Sequence, residues 1–228
     1  MCGRIAQYRP KAAYAAEIGW DSAAFPQQPD DPPPNWNAAP GASHWLMHRL
    51  DDTDRMDWVG WGYRPAWAAE KNLPIAINAR IEKVATGAFF RSLWKSGRAI
   101  VPADGWYEWS GEPRHKQPWY IRLESDRPMF MAALASFRAN PTPREDAGFV
   151  IVTAAADGGL VDVHDRRPVV FSAQDAALWM DPSLSPDQAE YLARTMSLPP
   201  AVFAWYPVSK DVNKAGTNGP HLIDAMEA

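Results

Sequence analysis

Between Arg98 and Thr153 the chain offers five extended segments in close succession: Arg98–Pro102, Gly105–Ser110, Trp119–Leu123, Met129–Phe137 and Gly148–Thr153. Each is short and rich in β-branched, aromatic or small apolar residues, and polar or glycine-containing turns separate them. Such a run commits the middle of the chain to a sheet. Further strands are expected at Arg4–Tyr8, Trp45–Leu50, Met56–Trp61, Ile75–Arg80 and Val202–Val208, with Asp51–Asp54 as a hairpin turn. Helices are expected at Lys11–Ile18, stopped by Gly19, and at Ala85–Lys95, where Phe89, Phe90, Leu93 and Trp94 share one face before Gly97. Ser172 caps another helix through Met180, and Ser185-Pro186 caps a last one through Met196. Residues 62–67 and 138–147 read as loops. Pro26–Pro40, with six prolines, reads as a long irregular connection in which Asn37–Gly41 forms an ordered turn. Strands outnumber helices and do not alternate strictly with them. The expected fold is therefore α+β, a single domain over residues 1–228 on a largely antiparallel sheet.

Composition narrows the function. Hydrophobic residues make up 46% of the 228, enough for a sizeable core, and the formal net charge of −4 excludes a broadly basic nucleic-acid coat. Any nucleic-acid contact must come from a local set of arginines. The single cysteine excludes an internal disulfide and a cysteine-rich metal site. No apolar run is long enough to span a membrane, and no basic stretch followed by an apolar one marks a signal peptide, so a soluble cytoplasmic protein is expected. Most of the twelve tryptophans belong in a core of this size, with some free to line a site.

The lone cysteine is Cys2, directly after the initiator methionine. Removal of Met1 would leave an α-amine and a thiol on one residue, a pair able to trap an aldehyde as an imine and then as a thiazolidine ring. The alternative is a small buried apolar residue. Along Asn78-Ala-Arg80, strand alternation puts Asn78 and Arg80 on one face, to bind polar groups and phosphate or merely to meet water. In Asp104-Gly-Trp-Tyr-Glu-Trp109, Glu108 shares a face with Trp106; it is either a buried proton-transfer group or a glutamate at a sheet edge. His164, in Val163-His-Asp-Arg-Arg-Pro168, is either a proton shuttle or a structural hydrogen-bonding residue. Arg4, Trp67 and Trp109 would suit single-stranded nucleic acid, whose bases are free to stack. No histidine pair has metal-ligand spacing, so no metal is expected.

Taken in order, Met1-Cys-Gly-Arg4, Asn37–Gly41, Trp61-Gly-Tyr63 with Trp67, Asn78-Ala-Arg80 with Glu82, Ala103–Trp109, Val152–Ala156, Val163–Pro168 and Pro207-Val-Ser209 resemble the SOS response-associated peptidase family, over essentially the whole chain. The resemblance implies a barrel-like antiparallel core with flanking helices. It also implies covalent shielding of abasic sites in single-stranded DNA. Cys2 would form the thiazolidine crosslink, Asn78 hold its amine and the opened sugar, Glu108 move protons, and His164 assist ring opening and reversal. Arg4, Arg80 and Arg166 would hold phosphates, and Trp67 and Trp109 support bases. Abasic-site lyase chemistry through the imine accompanies this set. The implied partner is abasic single-stranded DNA, with no cofactor, metal or membrane, and with the protein a monomer, nucleoid-associated when bound to damage. One departure is Ala68, where some family members carry a second Trp, so a stacking surface is in question. Two other readings stay open: a cysteine peptidase using Cys2 and His164, which could also remove Met1 in cis, and a non-catalytic binder of single-stranded nucleic acid.

Overall fold

A computed structural model of the chain describes residues 2–112, 115–136, 147–214 and 216–226. Its strands are β1 (Ile5–Gln7), β2 (Asn35–Ala38), β3 (Ser43–Leu50), β4 (Thr53–Gly60), β5 (Asn78–Arg80), β6 (Arg98–Ala103), β7 (Gly105–Ser110), β8 (Gln117–Leu123), β9 (Met129–Ser136), β10 (Gly148–Ala155), β11 (Arg166–Pro168), β12 (Val170–Phe171) and β13 (Phe203–Pro207). The helices are α1 (Lys11–Glu17), α2 (Ala66–Glu70), α3 (Ile81–Val84), α4 (Arg91–Ser96), α5 (Ala173–Trp179) and α6 (Pro186–Thr195).

Two sheets form. One runs β13-β8-β7-β1-β2; the other runs β11-β10-β9-β6-β3-β4, with β12 beside β9 and β5 beside β10. Every strand pair is antiparallel except β5 with β10. The second sheet curls toward closure, because Trp61, just past β4, bridges Phe149 on β10 and the Gly62 N–H donates to the Phe149 carbonyl at 2.9 Å. That is the α+β, barrel-like, largely antiparallel domain expected.

Period-2 alternation distributes the core. On β9, Met129, Met131, Ala133 and Ala135 face a cluster between the two sheets, whereas Phe130, Ala132 and Leu134 face the helices. On β7, Trp106 faces the inter-sheet cluster and Tyr107 the opposite surface, which the carboxy-terminal segment covers with Val208, Val212 and Leu222. The helical layer packs Tyr14, Leu93, Trp94, Trp179 and Leu192 on the outer face of the larger sheet. Arg98, 7% exposed, serves that layer. Its guanidinium donates to the carbonyls of Trp94, Trp179, Asp181 and Leu184, capping the ends of α4 and α5.

Most expected elements stand within a residue or two of their expected bounds. Ser172 caps α5 through the Asp175 N–H, and Ser185 with Gln188 makes a capping box on α6. Asp51 and Asp52, with φ of 50° and 57°, form a two-residue turn, which lengthens both hairpin strands. Three readings need correction. Asn35–Ala38 is a strand rather than irregular chain leading into a turn, because β1 supplies a partner edge (Ile5 opposite Ala38). Pro65, in extended conformation, is the N-cap of helix α2, which forms inside the expected loop. The helix expected over Ala85–Lys95 forms only in its second half: α4 starts at Arg91, and residues 85–90 connect it to α3, which ends at Val84. The surface loop expected at 138–147 lies, except for Ala147, outside the described residues.

Gly148 is where the curl depends on a missing side chain. Its φ is +140°, and a Cβ there would lie 2.0 Å from the Gly62 carbonyl oxygen. Gly148→Ala is expected to destabilise the protein by about 3 kcal/mol or more, read as a lowered urea midpoint in equilibrium unfolding.

Candidate active site at the amino terminus

Strand β1 lies between β7 and β2, so the residues preceding it are carried into the molecule rather than left as a tail. Cys2 is fully buried and joins the inter-sheet cluster with Ile5, Leu46, Trp61 and Trp106. Burial pushes its thiol well above the ordinary range, and the nearby Glu108 carboxylate pushes it the same way. Asn78 Nδ2 donates to the Cys2 carbonyl at 2.8 Å. Asn78 opens β5, which is held from two directions: the Ile77 carbonyl accepts from the Trp61 indole at 2.9 Å and from the Ile151 N–H at 3.1 Å. The Asn78 Oδ1 is buried with no partner among the described residues.

Glu108 occupies β7, an interior strand, and is only 3% exposed. It therefore does not sit at a sheet edge. Burial raises its pKa to about 7, against the lowering pull of the amino-terminal charge and Lys116. His164 follows the 3-10 turn Gly158–Asp162 and accepts at Nδ1 from the Arg166 N–H at 2.9 Å. Asp165 Oδ1 lies 2.8 Å from the same nitrogen, a contact that is attractive only when Nδ1 carries a proton. The two contacts favour different protonation of Nδ1. Burial and the amino-terminal charge lower the histidine pKa more than Asp165 raises it. We therefore take the neutral ring as the resting form. We assign the proton of the neutral ring to Nε2, because the backbone N–H of Arg166 can only donate to Nδ1 while the exposed Asp165 carboxylate can turn to water. Trp106, Glu108, His164 and Arg166 line one small cavity of about 10 Å³, room for one water-sized group.

Thus four side chains singled out from separate stretches (Cys2, Asn78, Glu108 and His164) converge at the start of β1. The expected DNA-facing residues divide. Arg80 is exposed, and Trp67 is 39% exposed, edge-on to Phe89 with the Lys71 ammonium 5.7 Å from its ring centroid. Arg4, Arg166 and Trp109 are already engaged. Arg4 donates to Asn37 Oδ1 and the Val212 carbonyl, and the Trp109 indole donates to Asn213 Oδ1 at 2.6 Å. Arg166 forks onto Glu82 at 2.7 and 3.0 Å and also reaches the Thr153 carbonyl at 2.7 Å. Ala68 is fully buried in α2, so at this backbone position a larger side chain would meet the core rather than project as a surface wedge. The roles of Glu82, Asn37 and Asn213 as partners of these groups carried no local signal, because each contact spans at least 33 residues. Among the described residues no group of three or more His, Cys, Asp or Glu is placed to hold a metal ion, and no helix is long and apolar enough to cross a membrane.

The raised Glu108 pKa has a sign that can be tested. The folded state holds this proton more tightly than the unfolded chain, where a glutamate carboxyl has its ordinary value of 4.5. Glu108 therefore favours folding fully below about 4.5, and that contribution is lost as pH rises through about 7. Glu108→Gln should remove this loss, gaining roughly 1–3 kcal/mol relative to wild type between pH 5 and pH 8 in urea unfolding. Parallel pH dependences in the two proteins would contradict the assignment.

Three comparisons place the chain. The family model described as SOS response associated peptidase (SRAP) matches residues 1–215. "Abasic site processing protein YedK" of Escherichia coli (strain K12) is 43% identical over 230 residues, covering 99% of this chain and 100% of its own. "Abasic site processing protein HMCES" of Xenopus tropicalis is 26% identical, over 85% of this chain and 66% of its own. Among solved structures, a phage-related protein of Bordetella bronchiseptica superimposes with a TM-score of 0.77 at 36% identity, over 92% of this chain and 95% of the other. With its matching stretches in order and its fold shared, this chain belongs to the SRAP family.

Proposed function

We propose that this protein senses abasic sites in single-stranded DNA and shields them through a thiazolidine crosslink to Cys2. The observation that carries the reading is a chain of proximities: Asn78 binds the Cys2 carbonyl, Glu108 lies close enough to act on the Cys2 thiol, and Glu108 and His164 line one cavity. The names of the relatives, abasic site processing proteins, agree with it.

Hydrolysis of the Met1–Cys2 peptide bond frees the amine. An abasic deoxyribose opens to an aldehyde, and His164, with its proton on Nε2, is suited to protonate the departing ring oxygen. The Cys2 amine adds to the aldehyde carbon, and the resulting carbinolamine loses water to give an imine. A Glu108 carboxyl with a pKa of about 7 populates both forms near neutrality. It can take a proton from the amine and return one to the leaving hydroxyl. The sulfur then adds to the imine carbon as its proton passes to the imine nitrogen, closing the five-membered ring. Amine and thiol are consumed and one water is released overall.

The raised thiol pKa suits this order, because the neutral thiol waits while the amine reacts first. An imine left open permits strand cleavage by β-elimination, so ring closure suppresses the lyase branch. Asn78 holds the residue that reacts. Arg80 is free to meet a flanking phosphate and Trp67 a neighbouring base. Arg4 and Arg166 would reach phosphate only by exchanging their present partners, and Trp109 would offer its ring rather than its N–H. A peptidase acting on other proteins would need the Cys2 thiol alone, whereas the crosslink needs the α-amine as well. Removal of Met1 in cis is compatible with either.

Cys2→Ala is expected to abolish the heat-stable adduct with an abasic single-stranded oligonucleotide on denaturing gels, while circular dichroism stays that of the wild type. Intact mass of the wild-type adduct should correspond to protein lacking Met1 plus oligonucleotide minus one water. An adduct that retained Met1, or one formed by the alanine variant, would remove the proposal.

A further inference from the structure

The Trp106 indole is 1% exposed, and its Nε1 finds no hydrogen-bond partner among the described residues. A buried indole N–H ordinarily has an acceptor, and one left without it costs folding free energy. The Trp20 Nε1 in the helical core is likewise without a partner, but of the two only Trp106 lines the cavity with Glu108 and His164. The other face of β7 satisfies its polar groups: the Tyr107 hydroxyl donates to the Trp36 carbonyl at 2.7 Å, and the Trp109 indole has Asn213. Trp61 shares the inter-sheet core and Trp179 lies in the helical one, and the indoles of both reach backbone carbonyls at 2.9 Å. Trp106 alternates onto the face it shares with Glu108, and its ring forms part of the wall of the cavity that also holds Glu108 and His164. Phe203, packed edge-on at 5.3 Å, keeps the ring in place from the far sheet edge.

We infer that Trp106 is a substrate-contacting residue, whose Nε1–H donates a hydrogen bond to an oxygen of the ring-opened abasic sugar beside Glu108 and His164. The inference rests on the reading of the site as one that captures an abasic sugar, and it deepens that reading by naming a donor. A cavity of about 10 Å³ admits a hydroxyl-sized group and excludes a phosphate, so the acceptor is a sugar oxygen. An indole N–H does not titrate in the working range, unlike the two proton-transfer groups beside it. It can therefore orient the opened sugar without competing for the proton that Glu108 and His164 move. Keeping a donor unsatisfied until substrate arrives also concentrates its benefit in the bound state.

The test replaces Trp106 with 3-benzothienylalanine, which keeps the ring shape and substitutes sulfur for N–H; Trp106→Phe is the encoded counterpart. Adduct formation with an abasic single-stranded oligonucleotide and urea unfolding are measured on each. The expected result is an adduct rate lowered about 10-fold, as for a lost hydrogen bond, with the stability of the isostere variant equal to or above wild type. A wild-type rate in the isostere variant overturns the inference. So does a fall in rate matched by a fall in its stability, which would make the N–H structural. An unchanged maximal rate with its pH midpoint moved upward would assign the N–H to the Glu108 carboxylate and overturn it as well. If wild-type protein itself forms no adduct, the abasic-site reading fails first and takes this one with it.

Discussion

Burial of the first strand inside the five-stranded sheet, between β7 and β2 and covered on both faces, is the constraint from which the site follows. Ile5 turns into the inter-sheet cluster and Ala6 into the opposite one, so β1 has no freedom to fray without opening both. Its far end is fastened too. Asp104, itself buried, accepts from the Tyr14 hydroxyl at 2.6 Å and the Tyr8 N–H at 2.7 Å, and pairs with Arg9 at 2.8 Å. Gln7 adds a bridge between sheets, donating to Pro102 and Trp45 and accepting from the Trp45 N–H. A terminus that would ordinarily be mobile is thereby held against Asn78 and Glu108.

The same burial sets the electrostatics. Taking Cys2, Glu108 and His164 out of water favours the neutral form of each, which raises the thiol and the carboxyl and lowers the imidazole. For Glu108 the result is a value near neutrality, where a carboxyl can both give and take a proton. Asp104 shows how the rest of the molecule treats a buried acid. Desolvation raises it, while Tyr14, Tyr8 and Arg9 supply bonds that pull it back. Glu108 gets weaker compensation, chiefly from the chain's own amino-terminal charge. That difference separates a carboxylate that fastens a strand from one suited to chemistry.

Legibility differed by element. Where the pattern was local it could be read: the Ser172 and Ser185 caps, the hairpin turn that begins at Asp51 and the extended segments that became β6, β9 and β10. Where a partner decides, it could not. Asn35–Ala38 is a strand because β1 lies beside it, and nothing in Asn-Trp-Asn-Ala itself demands that. Phe89 and Phe90 carried an apolar helical face, yet they sit in the break between α3 and α4, packed on Tyr63 and Trp67. The site was legible as residues and illegible as contacts. Glu108 and Trp106 could be placed on one face, but not whether that face met water or core. Arg4 and Arg166 looked available to phosphate and turned out to be engaged by Asn37 and Glu82, through contacts of 33 and 84 residues in sequence separation.

The sequence by itself determined an α+β chain with strand alternation, an amino-terminal thiol and four short polar motifs, since these depend on nearest-neighbour spacing and covalent order. Only the tertiary structure decided which of those motifs meet, which arginines remain exposed, and that Cys2 is enclosed rather than free. Proton affinity and hydrogen-bond satisfaction depend on the local dielectric and on partners distant along the chain, and neither exists until β1 is set between β7 and β2 and the two sheets pack together.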